Sequence, residues 1–159
     1  MAVQIFNSDL MVNVDKKPPL LNPHNRSETH LAGHVFTMPA TTIIGDATSR
    51  IRLCQIPAGG RYIAALSSLH WSAIGAGTLL SLGWERFRLP SGVFVAEDVD
   101  GLGLGLNVAA AGGASITTMP TGLIREMEFP ATATLIAVIT GGVVPVGAIL
   151  GGTIVYGIA

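Results

Sequence analysis

Charge is what this sequence has least of. Asp, Glu, Lys and Arg make up 12% of its 159 residues, about half the share usual in soluble globular proteins. Nine basic and ten acidic residues leave a formal net charge of −1, and the longest basic run is Lys16-Lys17. Binding nucleic acid through its phosphates needs a concentrated basic surface, so no direct nucleic-acid partner is expected. Cysteine is confined to Cys54, which excludes a disulfide within the chain. What is abundant is apolar: hydrophobic residues reach 49% and there are 20 glycines. Such a composition excludes disorder over most of the chain, and the length suits one domain with its own core. There is too little charge to cover the surface of a lone domain. That surface must be hidden in lipid or in another protein.

Lipid is the first alternative. Glu128 is the last charged residue, so 129–159 is an uncharged segment long enough to cross a bilayer. Pro130 and Pro145 interrupt it, and Gly141-Gly142 and Gly151-Gly152 divide it into pieces rich in Val, Ile and Thr. That is the punctuation of short strands and turns, not of one helix. No basic anchor follows, and the first residues lack the basic-then-apolar order of a secretory signal. Neither a membrane partner nor a targeting segment is expected.

Residues 1–33 differ in kind from the rest. They hold Pro18, Pro19, Pro23 and both lysines, and neither a helical nor an alternating period runs through Asp15 to His30. An extended arm is expected there. Its apolar residues would be wasted on a solvated tail, so the arm is expected to dock on a partner. The candidate contact residues are Ile5, Phe6, Leu10, Met11, Lys16, Lys17 and Arg26.

From residue 34 onward the sequence breaks into strand-like runs. They are expected at 34–38, 41–44, 49–56, 61–66, 78–88, 91–96, 115–119, 123–129, 132–140 and 148–158. In 49–56, Ile51 and Leu53 point one way and Arg50 and Arg52 the other. Pro57-Ala58-Gly59-Gly60 would turn this strand back on 61–66 as a hairpin with a longer loop. Gly101 to Leu106 and Ala109 to Ala114 are locally simple and are expected as a loop or short helix between strands. The pattern predicts an all-β chain: a jelly-roll-like β-sandwich or barrel over 34–159, with the arm at 1–33.

Residues able to carry chemistry are few. Glu97, Asp98 and Asp100 before Gly101 are spaced like the front of a calcium loop, but the later ligands are missing, so an acidic surface turn is expected. Gly101-Leu-Gly-Leu-Gly-Leu106 lacks the spacing and the βαβ setting of a dinucleotide site. His30 and His34 could share a face, yet no further ligand accompanies them; only a site assembled around an oligomer axis would use them. Cys54 has no partner histidine in a recognisable motif and is expected in the core. No catalytic site, cofactor or metal is expected. Seven arginines against two lysines suggest charge pairs at subunit contacts, with Glu85, Glu126 and Glu128 as acceptors.

Arg50-Ile-Arg-Leu-Cys-Gln-Ile-Pro-Ala-Gly-Gly-Arg61 resembles a strand-and-turn motif of small tailed-phage virion proteins. The likeness continues through Leu80-Ser-Leu-Gly-Trp-Glu85, the insertion at 97–114, the run 128–139 and the closing Gly152-Thr-Ile-Val-Tyr156. Together these cover about residues 34–159, and they resemble capsid cement or decoration proteins and related minor head proteins. The resemblance implies a jelly-roll or other β-barrel domain, often trimeric, seated on a virion shell between major capsid subunits. It implies a homo-oligomer with the major capsid protein as partner, and a capsid-surface location after synthesis in the host cytoplasm. A receptor- or glycan-binding head or tail-fibre domain is the alternative; it would need an exposed aromatic such as Trp71 or Trp84 beside polar groups. A cupin-like enzyme would need clustered histidine and carboxylate ligands, which the four histidines do not supply.

Overall fold

The computed structural model describes residues 5–7, 31–42, 44–46 and 48–158. Among the described residues there are thirteen strands and two single-turn 3-10 segments. In chain order the strands are β1 (Ile5–Asn7), β2 (Leu31–Met38), β3 (Arg50–Ile56), β4 (Gly60–Ile63), β5 (Ser68–Trp71), β6 (Leu79–Trp84) and β7 (Phe87–Arg88). They continue with β8 (Phe94–Val95), β9 (Asp98–Asn107), β10 (Gly112–Ser115), β11 (Glu126–Phe129), β12 (Ala133–Thr140) and β13 (Leu150–Ile158).

Two sheets pack face to face around one apolar core. The first has the order β1-β3-β12-β6-β9. In the second, β13 is central. It pairs along one side with β2 from Leu150↔Met38 to Gly157↔Leu31. Along its other side it meets β5 with its first half and β4 with its last residues. β10 and β11 lie outside β5 and β4. A small third ribbon, β7-β8, stands apart from both sheets.

The uncharged segment after Glu128 supplies β12 and β13, an inner strand of each sheet. β12 is buried on both faces from Ala133 to Ile139. Its inward residues Leu135, Ala137 and Ile139 pack against Phe36, Tyr62, Leu69, Ile154 and their neighbours in one core cluster. Chain that looked long enough for a bilayer is therefore consumed inside the domain. No described helix is long and apolar enough to cross a membrane.

The alternation in β3 changes phase part-way. Arg52 lies opposite Ile136 but Cys54 lies opposite Leu135, so Leu53 is an extra residue in the ladder. This β-bulge turns Ile51 and Leu53 inward before it and Cys54 and Ile56 inward after it, and all four are buried.

Several sequence expectations need correction. β3 and the strand after Gly60 do not form a hairpin: they belong to different sheets. The Pro57–Gly60 turn, closed by Gly60 N–H to the Pro57 carbonyl at 2.9 Å, carries the chain across the sandwich. Thr41, Thr42 and Ile44, from the strand expected at 41–44, lie in no strand; among the described residues there, Gly45 makes a bridge to Val144. The expected strand at 115–119 is a 3-10 turn, Ile116–Thr118. The stretch Gly101 to Leu106, expected as a loop or helix, is the body of the ten-residue β9. Its glycines hide the strand pattern because they lie where other groups press close: the Trp84 ring at Gly101 and the Met119 side chain at Gly103. β5 was absent from the expected list altogether. The strand expected at 34–38 begins at Leu31.

Candidate interaction surface

The groups with chemical potential are mostly withdrawn from solvent. Cys54 has no exposed surface, and burial pushes its thiol well above the ordinary 9.0. It is held as a neutral core group and cannot serve as a nucleophile near neutral pH. His34 points into the second sheet's inner face, with its Nε2 3.2 Å from the Tyr156 hydroxyl. Tyr62 is fully buried, its hydroxyl hydrogen pointing to no acceptor among the described residues, and burial raises its pKa above the ordinary 10.0. No three His, Cys, Asp or Glu among the described residues come close enough to hold a metal ion. His30 lies outside the described residues.

The two tryptophans are also committed. Both are buried, and each indole N–H donates to a backbone carbonyl, Trp71 to Ala110 at 2.9 Å and Trp84 to Ala96 at 3.2 Å. Neither offers the exposed ring that stacking on a sugar would require.

The arginines divide into two groups. Arg50, Arg52 and Arg61 are paired with carboxylates of the same chain. Arg52 Nε donates to Glu85 Oε2 at 3.0 Å, and Arg50 pairs with Glu97. Register puts Arg50 and Arg52 beside Val138 and Ile136 on the outer face of the first sheet. The two side chains reach over β12 to carboxylates on its far side. Ile136 and Val138 beside them are buried. Arg61 spans Glu126 and Glu128 of the neighbouring β11 at 3.7 and 3.6 Å. These last three side chains are more than half exposed, so they contribute little to stability.

Arg86, Arg88 and Arg125 form the second group. All three are exposed, and none has a carboxylate within 4.0 Å among the described residues. Two of them converge on one aromatic ring. The Arg86 guanidinium sits 3.8 Å from the centroid of Phe94, and that of Arg88 lies 5.7 Å away. Phe94 is 53% exposed and its neighbour Val93 60%. Both stand on the β7-β8 ribbon, which Leu89 N–H closes by donating to the Val93 carbonyl at 2.8 Å.

The expected acidic cluster is split in the same region. Glu97 is taken by Arg50, while Asp98 accepts only the Asp100 N–H, and neither aspartate has an arginine partner among the described residues. The opposite end of the sandwich is formed by the loops at 72–78, 107–111 and 141–149 and by residues 39–42, 44–46 and 48–49. It carries Asp46 as its single described charge and exposes Ile44, Val143, Val146 and Ile149. Among the described residues, charge is therefore sparse at this end and more frequent toward the β7-β8 end.

Of the seven arm residues expected to contact a partner, two are described. Ile5 is 59% exposed at the edge of the first sheet, where β1 runs parallel to β3. Phe6 packs against the chain's own core. Leu10, Met11, Lys16, Lys17 and Arg26 lie outside the described residues. The Phe94 cluster was missed because its parts look ordinary singly: an exposed Phe and two scattered arginines signal nothing until the ribbon stacks them.

No protein-family model matches the sequence, and no curated protein matches it. Among solved structures, one chain from the capsid of Ralstonia phage GP4 superposes with a TM-score of 0.66 over 98% of each chain, at 12% identity. The two chains share one fold. The match spans both ends, so the sandwich and its connections correspond as a whole and not as a fragment.

Proposed function

We propose that this chain is a non-enzymatic structural protein of a tailed-phage virion. In this reading it is a cement or decoration protein that forms a homo-oligomer, expected to be a trimer, and bridges major capsid subunits. The observation that carries the reading is the end-to-end match to a capsid chain. It is supported by the silence of the chemical groups: the cysteine and tryptophans are locked in the interior. Exposed apolar residues at both ends suit a subunit whose surface is completed by neighbours. The first 33 residues are proposed as the docking arm, with Leu10, Met11, Lys16, Lys17 and Arg26 as its contacts.

The test is to add purified chain to shells assembled without it and to image the particles. Regularly spaced occupancy and a rise in the temperature at which shells rupture are expected. Failure to bind, or shells equally robust with and without it, overturns the reading. Deleting residues 1–33 is not a clean probe of the arm, since it removes β1 and the first three residues of β2. Substituting Leu10→Ser with Met11→Ser leaves both strands intact and should lower shell occupancy.

A further inference from the structure

We infer that the β7-β8 end is a contact between copies of this chain, in which Arg86 and Arg88 of one subunit meet Asp98 and Asp100 of the next. The inference rests on the oligomeric part of the reading above and names the surface that carries it. Most charged side chains that the structure describes have a partner within the chain. Arg50, Arg52 and Arg61 account for Glu85, Glu97, Glu126 and Glu128. Asp46 is used in its own turn, accepting from Thr48. What remains is Arg86 and Arg88 on one side, Asp98 and Asp100 on the other, and Arg125 elsewhere.

These four groups, none of which has an ion-pair partner among the described residues, lie on one short stretch of chain; Arg88 Nε donates to the Gly92 carbonyl at 3.2 Å and Asp98 accepts the Asp100 N–H at 3.3 Å, so what is left open is their charge. Arg86 and Arg88 are stacked at Phe94, and Asp98 and Asp100 follow four and six residues later, with Asp98 in register with Trp84. No arginine–aspartate pair forms among them within 4.0 Å. A stretch of chain that carries both signs can satisfy itself against a second copy. Two guanidiniums held on an aromatic ring have less side-chain freedom to lose on binding, and Arg with aromatic residues is the composition of interface hot spots. Exposed Phe94 and Val93 supply apolar area for the centre of the contact.

The test needs only the purified full-length chain. Oligomer mass is measured for the wild type, for Arg86→Glu with Arg88→Glu, for Asp100→Lys, and for an equimolar mixture of the two variants. Each variant alone is expected to weaken association by about tenfold or more, and the mixture to recover part of it, since opposite charges meet again at the two contacts of a mixed trimer that join unlike variants. Arg125→Glu, outside the patch, should associate as the wild type does. Asp100→Asn serves where Asp100→Lys fails to fold, and should give a smaller weakening of the same sign. A monomeric wild type, variants that associate normally, or a mixture that stays dissociated overturns the inference. So do variants that remain oligomeric but no longer bind shells, which would assign the patch to a shell partner. Oligomers formed through this patch that ignore shells would overturn the cement reading and leave the contact standing.

Discussion

The Ser67 hydroxyl accepts the amide N–H of Val155 at 2.9 Å, filling a gap in the ladder beside β13. The strand facing β13 breaks between β4 and β5 for a 3-10 turn, Ala64–Leu66. At that break no backbone carbonyl is available, and the buried serine side chain takes its place. The same hydroxyl donates to the Ile63 carbonyl at 2.8 Å, so it is satisfied in both directions.

Replacing Ser67 by Ala should therefore cost about 1–3 kcal/mol, the penalty for orphaning a buried donor. Denaturant unfolding of the isolated chain reads this directly. A loss below a few tenths of a kcal/mol would mean that Val155 finds another acceptor.

At Gly83 the first residues of β9 lie so close to β6 that a Cβ would collide with the Asp98 carbonyl oxygen. Gly83→Ala should prevent normal folding or destabilise by about 4 kcal/mol or more, because backbone must shift on both strands. Gly147→Ala meets no such obstruction and is strained only by its φ of 82°. Its loss should be nearer 1 kcal/mol. Thermal melts of the two variants compare them.

Arg52 and Glu85 join across the outer face of the first sheet while their side chains remain 21% and 22% exposed. A double-mutant cycle to Ala should give a coupling of about 1 kcal/mol or less, as for other partly solvated pairs. Arg52→Ala alone should cost more than that coupling, since it also uncovers Ile136. Arg52→Met, which keeps the apolar stem over Ile136, should recover part of the difference.

Cys54, Tyr62 and Tyr156 are all held neutral by burial, with pKa values raised above their ordinary ones. For an acid raised in the folded state, the unfolded chain releases its proton first. Stability is therefore complete below the ordinary values of 9.0 and 10.0 and falls as pH rises through them. Each group adds a slope of about 1.4 kcal/mol per pH unit once its unfolded form ionises. Unfolding midpoints measured from pH 7 to 11 should be flat at first and decline above about pH 9. Cys54→Ala should shallow the earliest part of that decline.

Much of the local structure is legible in the sequence, because a strand announces itself through the facing of its own neighbours. The alternation of Arg50, Ile51, Arg52 and Leu53, and the glycine-divided Val/Ile runs after Glu128, needed no tertiary information. Together they gave an all-β chain, and the single cysteine excluded an internal disulfide. What tertiary structure alone decided is which strands and side chains meet. Ser67 and Val155 are 88 residues apart, Arg50 and Glu97 are 47 apart, and no local pattern links them. β9 was hidden because its glycines are required by what packs against them, and the Pro57–Gly60 turn was misjudged because a turn does not record which sheet receives the next strand. The scarcity of charge could not distinguish a subunit surface from a deeply buried pair of inner strands. Only the packing did, by placing β12 and β13 inside the two sheets.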